Sequence, residues 1–332
     1  MLRGSTARMV GFLMLIVLTA LAGFGCGGQG AQAPEEQVKI GITQIVEHAA
    51  LDAARQGFID ALKEEGYEEG KNVVYYIENA QNDKSNAMTI AQKFVNDKVD
   101  LILAISTPSA QACAQATKDI PILITAVTDP VAAGLVKSMD NPGTNVTGTT
   151  DMNPIYEQLE LIKKFVPDAK KVGIIYNAGE VNSEVQVGVA EEAADKLGLE
   201  LVKVTAATTA EVSQAAESLG GRVDAIYVPT DNTVVAALDS VIKVGEKNKI
   251  PVIAGEGDSV KNGAMATYGI DYYELGRQTG KMAVKILKGE DPTTMPVEKQ
   301  KNLKLYINKR AAEAMGVQIP SDLLEQADEI YE

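Results

Sequence analysis

The sequence predicts an α/β protein made of two doubly wound parallel-sheet lobes joined by a three-segment hinge. Three observations lead there. Short apolar runs alternate with amphipathic helical stretches along the chain. The runs are mostly continuous apolar rather than alternating, which suits parallel strands covered on both faces. The order of run and helix is then repeated, with matching punctuation, in a second half of the chain.

In chain order, the first half places strands at 38–42, 73–77, 101–105 and 122–126. The second half places them at 172–176, 199–204, 225–228 and 252–254, with 264–268 after them. Helices lie between. Over 84–97, Ala87, Ile90, Ala91, Phe94 and Val95 share a face. Over 154–166 the stripe is Ile155, Leu159, Ile162 and Val166, and over 272–288 it is Leu275, Thr279, Met282, Ala283 and Ile286. These spacings fit a period of 3.6 and read as ordinary core packing.

The halves echo each other. Asp100-Leu101-Ile102 opens a strand that ends in Ser106-Thr107-Pro108, and Ile120-Pro121-Ile122 opens the next. Asp224-Ala225-Ile226 opens a strand that ends in Pro229-Thr230-Asp231, and Ile250-Pro251-Val252 follows. Strand–helix alternation implies right-handed crossovers in each half. Val146-Thr147-Gly148 is strand-like, and the polar stretch 149–154 after it marks the boundary. Beyond Tyr268 come a helix, Pro292 and Pro296, a strand at 303–307 and a helix at 309–315. The chain is therefore expected to cross back to the first lobe and return to the second. The first lobe is 38–150 plus about 268–296, and the second is 151–267 plus about 297–332.

The start of the chain is different in kind. Arg3 and Arg8 flank a positive start, an apolar run extends from Met9 to about Ala22, and small residues follow. Residues 1–25 thus read as a secretory signal, too short for a comfortable membrane span. An exported α/β protein has no nucleotide cofactor pool to use, which favours a binding protein over a metabolic enzyme. Cys26 precedes a soft Gly/Gln/Ala linker over 26–37. This resembles a bacterial lipoprotein signal, whose cysteine becomes a lipidated N-terminus and holds a soluble domain at a membrane. Gly23 stands where that motif prefers Leu, and plain cleavage after Ala22 is the alternative.

Removing residues 1–25 and their two arginines leaves 29 basic against 45 acidic residues, a net charge of −16. Such a surface repels nucleic acid and anionic lipid. Any anionic ligand must be caught by local donors. One cysteine, Cys113, falls in the folded part, among alanines, and reads as a buried apolar side chain. With one histidine, no cysteine pair and no HExxH, the chain has few builders for a metal centre or a Ser-His-Asp triad. It carries no P-loop and no GxGxxG after a strand. No metal and no cofactor are expected.

Longer strings are more specific. Thr107-Pro108-Ser109-Ala110-Gln111, then Val127-Thr128-Asp129-Pro130-Val131-Ala132-Ala133-Gly134-Leu135-Val136, then Gly143-Thr144-Asn145-Val146-Thr147-Gly148 occur in order. Tyr176-Asn177-Ala178-Gly179-Glu180-Val181-Asn182-Ser183 and Asp271-Tyr272-Tyr273-Glu274-Leu275-Gly276 follow. Together they resemble the ABC-transporter substrate-binding proteins of the tryptophan/tyrosine type, over nearly the whole chain after the leader. The resemblance implies a periplasmic-binding-protein fold of type I, a ligand in the interlobe cleft, and permease and ATPase partners.

Ligands of open parallel sheets bind beyond the carboxyl ends of the strands. The residues there are Thr43, Gln44 and His48, then Thr107 and Ser109, then Thr128 and Asp129. The second half offers Asn177, Glu180, Asn182 and Ser183, then Asp231, then Glu256. Thr107 fits an N-cap with Pro108 at the first helical position, so the free N–H groups of that helix start suit a ligand carboxylate. Pro130 is read as opening another helix, with Asp129 either capping it or facing an ammonium. Glu180, Asp231 and Glu256 are the acids for a ligand amine, and Tyr156, Tyr272 and Tyr273 could form an aromatic wall or pack as core. His48 reads as a polar loop residue or a ligand hydrogen bond, because no orienting partner or nucleophile accompanies it for catalysis. Helix-start donors and opposed acids together suit an amino acid. The reading is an extracytoplasmic solute-binding protein that captures an L-amino acid, expected to be aromatic, and delivers it to an ABC importer, with a sensor domain for a signalling partner or a hydrolase using cleft carboxylates as alternatives.

Overall fold

The computed structural model describes residues 37–300 and 303–332. The leader, Cys26 and residues 26–36 of the linker lie outside the described residues. The first half runs β1 (Val38–Gln44), α1 (Ala49–Glu64), β2 (Val73–Asn79), α2 (Lys84–Asn96), β3 (Leu101–Ile105), α3 (Thr107–Ala116), β4 (Ile122–Val127) and β5 (Val146–Thr150). The second runs α4 (Ile155–Phe165), β6 (Lys171–Tyr176), α5 (Val181–Leu197), β7 (Glu200–Thr205), α6 (Thr209–Leu219), β8 (Ala225–Val228), α7 (Asn232–Val235), α8 (Leu238–Asn248), β9 (Val252–Ala254), α9 (Gly257–Lys261) and β10 (Ala266–Gly269). The last part holds α10 (Tyr272–Leu287), β11 (Glu298–Lys299), β12 (Lys304–Asn308), α11 (Lys309–Ala314), α12 (Ser321–Gln326) and β13 (Glu329–Tyr331).

Two sheets result, in the orders β11-β5-β4-β3-β1-β2 and β13-β12-β10-β9-β8-β6-β7. Stripped of their late additions, both follow the order 2-1-3-4-5. All pairings are parallel except β10 with β12, where Tyr268 faces Leu305 antiparallel. The expectation of parallel strands throughout is corrected at that one edge. β12 arrives from β11 of the first sheet rather than by a right-handed helical crossover over its own sheet, so it can run against its neighbour. Each sheet has its own apolar core. Ile40, Leu103, Ile124 and Phe94 anchor one, and Ile174, Tyr227, Ile253 and Leu159 the other.

The chain passes between the sheets at three places: after β5, after β10 and after β11. β11 pairs with β5 through Glu298 and Thr149, so the chain stays with the first sheet to Lys299. The three crossings are tied together. Tyr272 donates its hydroxyl to Asp151, linking the first and second. Gln300 donates to the Asp271 carbonyl at 3.1 Å and accepts from the Asp271 N–H at 3.1 Å, linking the second and third.

α10 returns to the first sheet because it packs closely on α1. A Cβ at Gly57 would lie 2.0 Å from the Tyr273 carbonyl, and one at Gly276 would lie 2.0 Å from the Ala54 carbonyl. The two helix backbones touch there, and alanine at either position would force them apart. This contact sets the start of α10, and so Tyr272, beside the start of α1, and so His48.

Two local expectations fail. Ser106, not Thr107, is the residue before α3; Thr107 and Pro108 are its first two residues. Pro130 opens a short turn rather than a helix, since Gly143 and Asn145 must soon return the chain to β5.

Candidate functional site

In a sheet of order 2-1-3-4-5 the chain winds in opposite directions on either side of the first strand, and the crevice at that switch point is where ligands sit. The first sheet has its switch point between β1 and β3, and the second between β6 and β8. The loops leaving these four strands carry His48, Ser106, the 177–180 stretch and 229–231.

Between the sheets lies a small, partly open cavity. His48, Ala50 and Leu51 line it from the loop and start of α1, and Ala126 from β4. Asp151 and Tyr272 come from the crossings. Asn182, Thr230, Asn232, Val235 and Glu256 come from the second sheet's loops and helices. No lysine or arginine is among the described residues that line it.

Three oxygens in this lining are buried and have no partner: Asp151 Oδ1, Asn182 Oδ1 and Glu256 Oε2. Their other atoms are committed. Asp151 Oδ2 accepts from Tyr272. Glu256 Oε1 accepts from the Ser259 N–H at 2.9 Å, capping α9. Asn182 Nδ2 donates to Glu180 Oε2 at 3.1 Å. Buried polar atoms are ordinarily paired, so three open acceptors around one cavity describe a site for a donor. Burial raises the Asp151 carboxyl to about 6. Burial, with the Asp258 charge adding to it, raises Glu256 to about 7. Both acids thus sit in a place that lacks a positive charge.

Behind this layer a polar network holds it in position. Glu180 accepts from Asn182, Asn232 and Thr233, and burial next to Asp231 raises it to about 7. Asp231 caps α7 through the Val234 N–H at 2.9 Å and accepts from the Asn177 N–H and the Ser183 hydroxyl, each at 2.6 Å. Its carboxylate is fully used, so the expectation that Asp231 meets a ligand amine is corrected: it is a helix cap. Asn177 likewise spends its side chain on Thr233 at 2.9 Å and on the Gly179 N–H at 2.8 Å.

The first sheet contributes differently. Thr43 Oγ1, Thr107 Oγ1 and Ser109 Oγ are buried and unpartnered at the ends of β1 and β3. Ser106 holds φ 81° and ψ 152°, a region that is essentially glycine's and costs about 1–3 kcal/mol for another residue. Its N–H donates to the Thr125 carbonyl at 3.0 Å, which sets the start of α3 beside the end of β4, where Ala126 also has a positive φ of 55°. The strain concentrates where the first N–H groups of α3 open toward the neighbouring strand end. Gln44 is not free for a ligand: it donates to the Val46 carbonyl and to Asp52, each at 2.9 Å, and accepts from Arg55 at 2.6 Å. Asp129 caps its turn, accepting from the Val131 and Ala132 N–H groups at 3.0 and 2.9 Å. Thr128 is buried and lies close enough to Asp151 to favour its charged form.

Of the residues expected at a site, His48, Asn182 and Glu256 line the cavity. Glu180 and Ser183 support the lining. Asp151, Thr230, Asn232 and Tyr272 complete it; Asn232 went unnoticed in the sequence, and so did Asp151. Its signal was present: Asp151 follows β5 directly, and a residue at a crossing between two sheets borders the space between them. Tyr156 is exposed, and Tyr273 bonds Asp60 at 3.0 Å on the α1 side, so neither walls the cavity.

The halves also meet directly. Asn82 Nδ2 donates to Thr233 Oγ1 at 3.0 Å, and Lys84 Nζ to the Gly179 carbonyl at 2.7 Å. Comparison with known proteins places this arrangement. A tyrosine-binding protein of Clostridioides difficile is 50% identical over 284 residues, covering 86% of this chain and 82% of that one. An ABC domain from Streptococcus pneumoniae, crystallised in complex with L-Trp, superposes with a TM-score of 0.86 at 38% identity, over 89% of this chain and 100% of that one. A ligand-free, open substrate binding protein from Clostridium difficile reaches only 0.67 at 51% identity, over 89% and 99%. The chain superposes less well on the more similar sequence, so its arrangement differs from that open one. The family model for the ABC transporter substrate binding protein matches residues 39–331. Members of such importers work outside the cytoplasm, and no described helix is long and apolar enough to cross a membrane. This chain belongs to the ABC transporter substrate-binding protein family, a family of binding proteins and not of enzymes.

Proposed function

We propose that the protein captures an L-amino acid with an aromatic side chain in the cavity and presents it to the permease and ATPase of an ABC importer. The observation that carries this reading is the set of three buried, unpartnered acceptors, Asp151 Oδ1, Asn182 Oδ1 and Glu256 Oε2, around a cavity lined by no cation. An ammonium has three N–H donors and one positive charge, which is what that set lacks. The carboxylate goes to the hydroxyls of Thr107 and Ser109 and to the N-terminus of the ten-residue α3, whose first N–H groups and dipole favour an anion. Ala50, Leu51 and Val235 give the remaining space an apolar lining. The names of the tyrosine-binding and L-Trp-bound relatives support an aromatic side chain.

Anchoring belongs to the same proposal. Acylation of Cys26 tethers the receptor to the membrane beside its importer, and fatty-acid labelling that is abolished in Cys26→Ser is the expected sign. The ligand class is tested by melting the purified protein against panels of L-amino acids, sugars and nucleosides. A ligand that binds only the native state adds about 2.7 kcal/mol at 100 times its Kd. Aromatic amino acids are expected to raise the melting temperature; a response to sugars or nucleosides alone overturns the reading.

A further inference from the structure

His48 stands at the N-cap position of α1, where a short polar side chain ordinarily bonds the helix N–H groups. It does not do so; its backbone is extended and its side chain makes no capping bond. Its Nδ1 is instead buried and without a partner, and the ring lines the cavity. Its neighbours in the lining are Ala50 and Leu51 of the same helix start. Burial alone lowers it, to about 4, and no carboxylate contributes. Burial favours the neutral imidazole, with one nitrogen a donor and the other an acceptor.

We propose that His48 is a specificity-determining residue, whose Nδ1 pairs with a polar group on the ring of the ligand's side chain. This rests on the amino-acid reading of the cavity. A phenol hydroxyl satisfies either tautomer of the ring, because it both donates and accepts. An indole N–H satisfies only the tautomer in which Nδ1 accepts. A phenyl ring satisfies neither and leaves a buried nitrogen unpaired. A site built around a hydrogen bond rejects the analogue that lacks it, whereas a merely apolar pocket discriminates weakly. The order of affinity is then tyrosine, tryptophan, phenylalanine.

The test is calorimetry of the full chain with these three L-amino acids, on the wild type, His48→Leu and His48→Gln. Wild type is expected to bind phenylalanine roughly tenfold or more weakly than tyrosine. His48→Leu is expected to bring the two within about threefold, mainly by weakening tyrosine, and His48→Gln, which keeps a donor and an acceptor, to restore much of the difference. An unchanged ratio in His48→Leu overturns the proposal while leaving the amino-acid reading intact. Failure of all three ligands to bind wild type overturns that reading instead. A measurement without substitution guards against loss of folding. His48 is the only histidine in the chain, so ¹⁵N-histidine labelling gives one imidazole to observe. Its Nδ1 resonance is expected to move with tyrosine and not with phenylalanine, and identical spectra in the two complexes contradict the proposal.

Discussion

The two sheets share a strand order and meet at their switch points, yet they bring opposite chemistry to the space between them. At its strand ends the first carries neutral hydroxyls, the start of α3 and the positive-φ residues Gln81, Asn82, Ser106 and Ala126, of which Ala126 lines the cavity. The second supplies Glu256, Asn182 and a buried acid–amide network; no strained non-glycine residue is described at its strand ends, Lys249 being a helix C-cap. Asp151, on the crossing, sides chemically with the second. The difference teaches that a repeated fold fixes where a ligand lies, while the loops decide which end of it each half holds. In the proposed reading, donors on one side and acceptors on the other orient a zwitterion.

The sharpest way to break this contrast is to neutralise the acceptors without changing their shape. Glu256→Gln keeps an oxygen for the Ser259 N–H, and Asp151→Asn keeps one for Tyr272. An ammonium left unpaired in a buried site costs about 3–5 kcal/mol, so either variant is expected to weaken amino-acid binding by two orders of magnitude or more. Calorimetry that finds wild-type affinity in both would return the ammonium to other groups.

Protons offer a second way. Asp151, Glu180, Asp231, Glu256 and Asp258 are all raised above the ordinary carboxylate range, mainly by burial. The folded state then binds more protons than the unfolded one between about pH 4 and 7, so stability falls as pH rises through that window. His48 is lowered and works in the opposite sense, losing its contribution as pH falls from about 6.5 toward 4. It is one group against five. The ligand-free protein is expected to melt higher near pH 5 than near pH 8, by calorimetric scans. An ammonium ligand holds the carboxylates charged, so affinity is expected to rise with pH over the same window, with proton release on binding. An affinity independent of pH would mean that no acid faces the ligand.

The donor side is expected to respond less. Thr107→Ala removes one buried hydroxyl while the α3 N–H groups remain, for a loss of about 1 kcal/mol, or roughly fivefold in Kd. Because that hydroxyl has no partner in the empty protein, the ligand-free melting temperature is expected to hold or rise. The smallest effect concerns closure. Asn82→Ala removes the bond to Thr233 across the halves, and a net loss of about 0.5–1.5 kcal/mol in binding free energy is expected, carried by faster ligand release in stopped-flow traces.

Much of the fold was legible because its signals are local. The runs at 101–105, 225–228 and 252–254 coincide with strands, and the stripe of Ala87, Ile90 and Phe94 is buried as expected. β12 reversed its direction and β13 was missed, since pairing partners depend on distant chain and three-residue strands carry little pattern. The site was legible in outline only. Loop position drew attention to His48, Asn182 and Glu256, but it could not tell which helix-capping acid keeps an oxygen open. Asp231 and Glu256 look alike in sequence. Asp231 is surrounded by donors, while Glu256 keeps one oxygen open, and that difference is made by tertiary neighbours such as Asn177 and Ser183.

The most direct measurement of the division between donors and acceptors compares L-tyrosine with its des-amino analogue, 3-(4-hydroxyphenyl)propionate, on wild type and Glu256→Gln. If Glu256 holds the ammonium, the substitution is expected to weaken tyrosine by about a hundredfold while changing the analogue by less than about threefold. Equal losses for both ligands would contradict the account, because the carboxylate of Glu256 would then act on the fold of the site and not on the amine.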